Sequence, residues 1–242
     1  MKTIVVLVVL IFFQVCVITN KLYAQEKASI LLVTSNRKVP SSGFYELFAL
    51  IDGIDAIEMK QPQANEFIQN GDVDQYALIV FYDLNDSITE LQKDAYWDLL
   101  EKGKPMLFLH HTLVSYQKWP NFINIIGGRY NRQHPILGPS AYIHDYKLNL
   151  TVSNKKHPIT MDLDCFSIIG EAYNNCEILP EVTPLLICED SHNMPYAAWI
   201  HRVKNAEVVY IQNGHDDKVF TNSHYKKLIK QAVLYLILRS KK

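Results

Sequence analysis

The chain has 242 residues, with 24 basic and 25 acidic side chains, 9 histidines and 48% hydrophobic residues. That is long enough for one large domain with its own core. A near-neutral balance without long runs of one sign excludes the electrostatic footprint of a nucleic-acid or anionic-lipid binder.

The chain opens with Lys2, the apolar run TIVVLVVLIFFQVCVI and then the polar TNKLYAQEK. A basic start, a short apolar core and a small residue before a polar segment form a secretory signal. Cleavage is expected after Ala24, with Leu22 and Ala24 at the two small-pocket positions, which makes the protein exported (periplasmic or secreted). The rival is an uncleaved membrane anchor, because the run approaches the ~18 residues of a spanning helix. Its shortness and its flanks favour cleavage, and then no stable membrane insertion. Cys16 lacks the Leu-x-small context of a lipoprotein signal. Residues 25–242 carry 22 basic and 25 acidic side chains and three cysteines, Cys165, Cys176 and Cys188. An odd count without Cys-x-x-Cys is not a disulfide framework.

ASILLVTS (28–35) reads as a buried parallel strand. GFYELFALID follows with helical spacing of Phe44, Leu47, Phe48 and Ile51. DAIEMK (55–60) and YALIVFYD (76–83) are the next strands. SITELQKDAYWDLLEKG (87–103) is a helix, with Ser87 as cap, Glu90 three residues later and Gly103 as terminator. PMLFLH is another strand, and TLVSYQKWPNFINIIGG a helix interrupted at Pro120. This alternation predicts an α/β fold, a single domain with a mainly parallel sheet and helices on both faces. AYIHDYKLNLTV (141–152), TPLLICED (183–190), YAAWIH and EVVYIQNG then follow in close order, which suggests mixed or antiparallel pairing at one side. NSHYKKLIKQAVLYLILRS (222–240) is a closing amphipathic helix.

In open α/β sheets, ligands bind beyond the carboxyl ends of the strands. His110 and His111 end one strand and Asp83 its neighbour. Gly214, His215 and Asp216 end another, and Glu171 follows CFSIIG with Tyr173 two residues on. Each has a plain structural alternative: Asp216 or Glu171 could cap a helix, and an isolated histidine is more often structural. What the plain alternatives leave unexplained is the gathering of imidazoles and a carboxylate at strand ends. Adjacent residues on a strand point to opposite faces, so only one of His110 and His111 is expected to face the cleft, and the choice stays open. His and Glu suit acid–base work near neutral pH. They also suit a divalent metal such as zinc, although no His-x-x-x-His or His-Glu-x-x-His spacing is present.

LHHTLVSYQKWPNFINIIGGRY, HPIT, GEAYNN, PYAAWIH and VVYIQNGHDDKVFTNSHYKKLI, in this order, resemble the successive blocks of the trehalose-utilisation (ThuA-like) family, over roughly residues 28–238. The resemblance implies a flavodoxin-like three-layer sandwich of the class I glutamine amidotransferase type. It also implies a role in disaccharide use, alongside oxidoreductases that make 3-keto sugars. Carried over by position, the family's strand-end histidine falls on His110 or His111, and its Gly-Gly-Arg/aromatic block on Gly127, Gly128, Arg129 and Tyr130. Its acidic-x-Tyr falls on Glu171 and Tyr173, and its Gly-His-Asp on Gly214, His215 and Asp216. Where relatives have an acidic pair before the Tyr, this chain has Gly170-Glu171. His157-Pro158 reads mainly as a structural turn.

The expected activity is acid–base or metal-assisted chemistry on a carbohydrate, with a 3-keto-glycoside as the sharpest candidate. His111, Glu171 and His215 would be the working groups and Tyr173 would orient. Arg129, Trp119 and Trp199 are candidates for holding the sugar, the two tryptophans against a strong alternative of core packing. The rival is a non-catalytic carbohydrate-binding module on an enzyme-like fold. Amidotransferase or cysteine-peptidase chemistry is excluded, because no cysteine stands at the strand–helix junction that holds such a nucleophile. The partner is a small carbohydrate, and a homo-oligomer is compatible with the sequence.

Overall fold

The computed structural model describes residues 27–37, 40–133, 136 and 138–240. The expected signal segment, residues 1–24, lies outside the described residues. Among them, no helix is long and apolar enough to cross a membrane.

Four strands form in the first half: β1 (Ala28–Thr34), β2 (Ile54–Lys60), β3 (Leu78–Tyr82) and β4 (Met106–Leu109). The second half supplies β5 (Gly128–Arg129), β6 (Ala141–Val152), β7 (Phe166–Asn174) and β8 (Glu177–Ile178), then β9 (Thr183–Ile187), β10 (Tyr196–Val203) and β11 (Ala206–Ile211). The main sheet runs β2-β1-β3-β4-β11-β10-β9-β6-β7, with β5 and β8 forming a separate small pair. From β2 to β11 every neighbour is parallel, and from β11 to β7 every neighbour is antiparallel. The sheet is therefore a single large α/β sheet, parallel from β2 to β11, with the expected antiparallel pairing at one side, from β11 to β7.

Helices α1 (Ser42–Ala49) and α6 (Ser223–Arg239) cover one face; α2 (Gln63–Asn70), α3 (Glu90–Glu101) and the short α4 (Ile123–Ile126) cover the other. Alternate residues of β1 show why: Ile30 and Leu32 pack with Phe44 and Leu228, whereas Leu31 and Val33 pack with Ile68, Tyr96 and Leu100. A strand buried on both faces reads as a continuous apolar run, as this one does.

Two expected helices differ from what forms. The cap of α3 is Thr89, whose side chain accepts from the Gln92 N–H while the Gln92 side chain accepts from the Thr89 N–H, so the capping box lies two residues beyond Ser87. The stretch after β4 is a 3-10 turn at His110–Val114, a second at Pro120–Phe122 and then α4. Its polar groups reach across to the β3 loop instead of along a helix. The Asp83 N–H donates to Thr112 Oγ1 at 3.2 Å, Ser115 Oγ donates to Asp83 O at 3.1 Å, and the Tyr116 N–H donates to Asn85 O at 2.7 Å. β7 also runs on past CFSIIG, so Glu171 and Tyr173 sit within a strand rather than after one.

Candidate functional site

β4 ends at Leu109 and the next residue, His110, has φ 50, a left-handed backbone rare for a non-glycine residue. This sharp strand-to-turn position lifts the His110 ring above the sheet edge. The Tyr210 hydroxyl holds it there by donating to His110 O at 3.0 Å. The next donor arrives from the loop after β11. Gly214 has φ 146, and a Cβ there would come within 3.0 Å of the Tyr225 hydroxyl and 3.2 Å of His110 Cβ. Glycine is what allows this loop to pass so close to His110. Tyr82 and Tyr225 donate to Gly214 O and Asn213 O at 2.8 and 2.9 Å, fastening the backbone that carries His215.

Glu171 comes from β7, the outermost strand, whose second half lies across the carboxyl ends of the parallel strands. A buried amide pair locks it in place. Gln212 donates to Asn193 Oδ1 at 2.6 Å and to Glu171 O at 2.9 Å, while Asn193 Oδ1 also accepts from the Tyr173 N–H at 2.9 Å.

These elements converge on one carboxylate. Glu171 Oε2 lies 3.2 Å from His110 Nε2, and Oε1 lies 3.1 Å from His215 Nδ1 and 2.7 Å from His144 Nδ1. His110 Nε2 and His215 Nδ1 are 3.3 Å apart. His110 Nδ1 is 2.8 Å from Gln212 O. A carbonyl can only accept, so that nitrogen carries the proton. Burial disfavours the Glu171 carboxylate, but the hydrogen bond and charge of His110, with the charges of His215 and His144, outweigh it and hold the carboxyl at about 2. Burial pushes the Tyr173 phenol well above its ordinary value, so this hydroxyl, 3.4 Å from His110 Nε2, remains a donor. A cavity of about 320 Å³ opens onto the cluster, with His110, Glu171 and Tyr173 among its lining residues and His144, Tyr142 and Arg132 contributing to its walls.

His144 was not legible as a site residue, and a β-bulge is the reason. Ile143 pairs with Ala172 and Tyr146 with Gly170, so His144 and Asp145 together oppose Glu171. Regular alternation places His144 on the same face as Tyr146 and Leu148; the extra residue turns it to the face of Glu171. Arg132 and Tyr142 were also unassigned. Arg132 shares Asp86 with Arg37, at 2.9 and 3.0 Å.

The histidine pair resolves unequally. His110 joins the carboxylate, whereas His111, expected as a working group, sits beside it with its ring against Tyr82 and still contributes to the cavity lining. Asp216 takes its plain alternative: it caps α5 (Asp217–Phe220), accepting from the Lys218 and Val219 N–H groups. Neither tryptophan is placed to stack on a sugar. Trp199 is fully buried, donates to Ile126 O at 2.8 Å and packs on Tyr210, while Trp119 packs among Tyr96, Tyr116 and Phe122. Arg129 is not among the residues lining the cavity; it donates to the carbonyls of Gln117 and Pro120, tying the segment between and at the 3-10 turns to β5. Asp83 lies beneath the site, fully buried, with its carboxyl pushed up to about 7 by burial against the hydrogen bonds of Gln61 and Thr112. His157 accepts from the Ile159 N–H and packs on Tyr235, as a structural turn does. All three described cysteines are free thiols and none is among the residues lining the cavity; burial pushes the Cys176 thiol up to about 12.

Fold and cluster together define an α/β sandwich with an imidazole–carboxylate site at the carboxyl end of a central parallel strand. The ThuA family, described as trehalose utilisation, matches residues 35–236, and the chain belongs to that family. No curated protein matches it. Among solved structures it is similar to a ThuA-like protein from Parabacteroides merdae (14% identity, TM-score 0.68), over 87% of this chain and 90% of that one. Another is a ThuA-like protein from Bacteroides uniformis (17% identity, TM-score 0.66), over 88% and 93%. The fold also resembles part of a β-galactosidase from Rahnella sp. R3 (8% identity, TM-score 0.56), covering 86% of this chain but 31% of the enzyme. At these identities the likeness shows the fold.

Proposed function

We propose that the chain is an enzyme of carbohydrate utilisation that acts by acid–base chemistry on an oxidised, 3-keto glycoside. The observation that carries this reading is the buried Glu171 carboxylate shared by three imidazoles beside an open cavity. The cavity volume is at the lower end of the small-ligand range, which suits a compact polar substrate.

A ketone at C3 acidifies the C2 hydrogen. A base removes that proton, the electron pair forms the C1–C2 double bond, and the C1–O bond breaks with its pair passing to the leaving oxygen, which takes a proton from an acid. His144 is suited to the base role: it is half-exposed, it contributes to the cavity wall, and its Nδ1 is 2.7 Å from Glu171. Glu171, held at about 2, is too weak a base itself and instead orients His144 and stabilises its protonated form. The Tyr173 hydroxyl supplies a neutral donor toward the oxyanion. Export is part of the proposal, supported by the basic, apolar and small-residue order of residues 1–24.

The test is incubation of the purified chain with 3-keto-glycosides, with product release followed by mass spectrometry. Release of the aglycone, and its loss in His144→Ala, is the expected result. Substrate left unchanged, with and without added divalent metal, overturns the reading. Sugar binding without turnover that survives His110→Ala and His144→Ala would instead identify a carbohydrate-binding module.

A further inference from the structure

We propose that His110 Nε2, His215 Nδ1 and the Glu171 carboxylate bind a divalent cation of the zinc class, with a coordination position left open toward the cavity. This rests on the sugar-processing reading and deepens it, by assigning the group that polarises the C3 carbonyl. The three residues offer donor atoms that all lie within 4.8 Å of one another. His215 Nδ1 is 3.1 Å from Oε1, His110 Nε2 is 3.2 Å from Oε2, and the two imidazole nitrogens are 3.3 Å apart. Donors around a tetrahedral zinc at about 2.0–2.1 Å stand about 3.3–3.4 Å apart, so the two imidazoles already have that spacing and the carboxylate offers one oxygen toward each of them.

Orientation carries the argument further. His110 Nδ1–H donates to the Gln212 carbonyl, the arrangement that fixes a ligating imidazole with Nε2 free to face a metal. That nitrogen faces a carboxylate oxygen and a second imidazole nitrogen, so three potential donors converge on one point. A proton can satisfy one pair at a time; a cation between them satisfies all three. The backbones carrying two of the ligands are pinned by the hydroxyls of Tyr210, Tyr82 and Tyr225, so the donor set is held before any ion arrives. His144 stays outside this set: it bonds to Glu171 Oε1 from the exposed side, so it supports the ligand and remains available as the base. Two imidazoles and one carboxylate, with open positions, form the donor set of catalytic zinc and of non-haem iron(II) sites. A cation there would draw electron density from the substrate's C3 oxygen as the C2 proton leaves.

The test is titration of the chelator-stripped full chain with Zn²⁺, and separately with Mn²⁺ and Fe²⁺, by calorimetry and elemental analysis. One equivalent of Zn²⁺ per chain is expected, with affinity weakened at least about 100-fold in Glu171→Gln and His215→Ala. His192→Ala, which removes an exposed histidine paired with Asp190, should bind as the parent does. Cobalt(II) substitution should give visible absorption bands that both site variants lose, and circular dichroism checks that they fold. A parent chain that takes up no equivalent of any of the three ions, or folded site variants that bind as it does, overturns the proposal. Stripped protein that still turns over a 3-keto-glycoside at the full rate overturns the metal's role and leaves the acid–base reading standing. One bound equivalent without turnover does the reverse for the metal site.

Discussion

Glu171 Oε2 lies 3.2 Å from His110 Nε2, although Glu171 belongs to the outermost strand of the sheet and His110 to the end of a central one. β7 reaches this position because the β6–β7 hairpin is joined to β9 only through Thr151 and Val152, leaving the rest of it to curl over the sheet's edge. The contact joins the parallel and antiparallel halves of the molecule.

Replacing Glu171 by Gln keeps the shape of the site but removes the charge that three imidazoles share. Turnover should fall about 10²-fold or more, in line with the loss of a general acid–base partner. Steady-state kinetics should show the loss mainly in kcat, with KM changed less.

His144→Ala should separate chemistry from folding. The side chain is half-exposed and outside the core, so thermal unfolding should shift by no more than about 0.5 kcal/mol. Turnover should fall about 10²- to 10⁴-fold if His144 is the base. A large drop in thermal stability would make the residue structural instead.

Two buried carboxyls should give stability opposite pH dependences. Glu171 titrates near 4.5 when unfolded and about 2 when folded, so its contribution is present above about 4.5 and fades as pH falls toward 2. Asp83 titrates near 3.8 unfolded and about 7 folded, so the folded chain holds the extra proton and stability is lost as pH rises between these values. In urea unfolding, Asp83→Asn should therefore gain on the parent as pH rises from 4 to 7. Glu171→Gln should lose less relative to the parent as pH drops below 4.

Trp199→Phe should cost stability without touching sugar recognition. The indole is fully buried and its N–H bond to Ile126 O closes α4 against β10. Loss of that bond, with a carbonyl left unpaired, should cost about 1–3 kcal/mol in chemical denaturation. Ligand affinity, measured by calorimetry, should match the parent.

Much of this fold was legible because each parallel strand announces itself as a short apolar run and each helix by its spacing. The strand-end rule likewise pointed to His110 and His215 from separate stretches of sequence, and it reached Glu171 only by ending β7 too early. What stayed hidden depends on backbone events that composition does not mark. Alternation could not choose between His110 and His111, because the strand stops at Leu109 and the next residue turns left-handed. Trp119 and Trp199 share their residue type with sugar-stacking platforms, and only burial separates the two uses. Thr89 displaced Ser87 as a cap because both are suitable and tertiary placement of α3 decides.

The bulge at Asp145 also changes how β6 should answer to gain and loss of residues. Deleting a residue from a strand ordinarily moves every side chain beyond it to the opposite face. Asp145 is instead the surplus residue, with φ 53, exposed and held at the surface by Lys218. Its removal leaves Ile143 opposite Ala172, His144 opposite Glu171 and Tyr146 opposite Gly170, with both registers kept. The same deletion at Lys147 or Leu148 would throw the two halves of the strand out of phase. Within one twelve-residue strand, then, the chain has a single position where its length is negotiable, and it lies beside the histidine that lines the cavity.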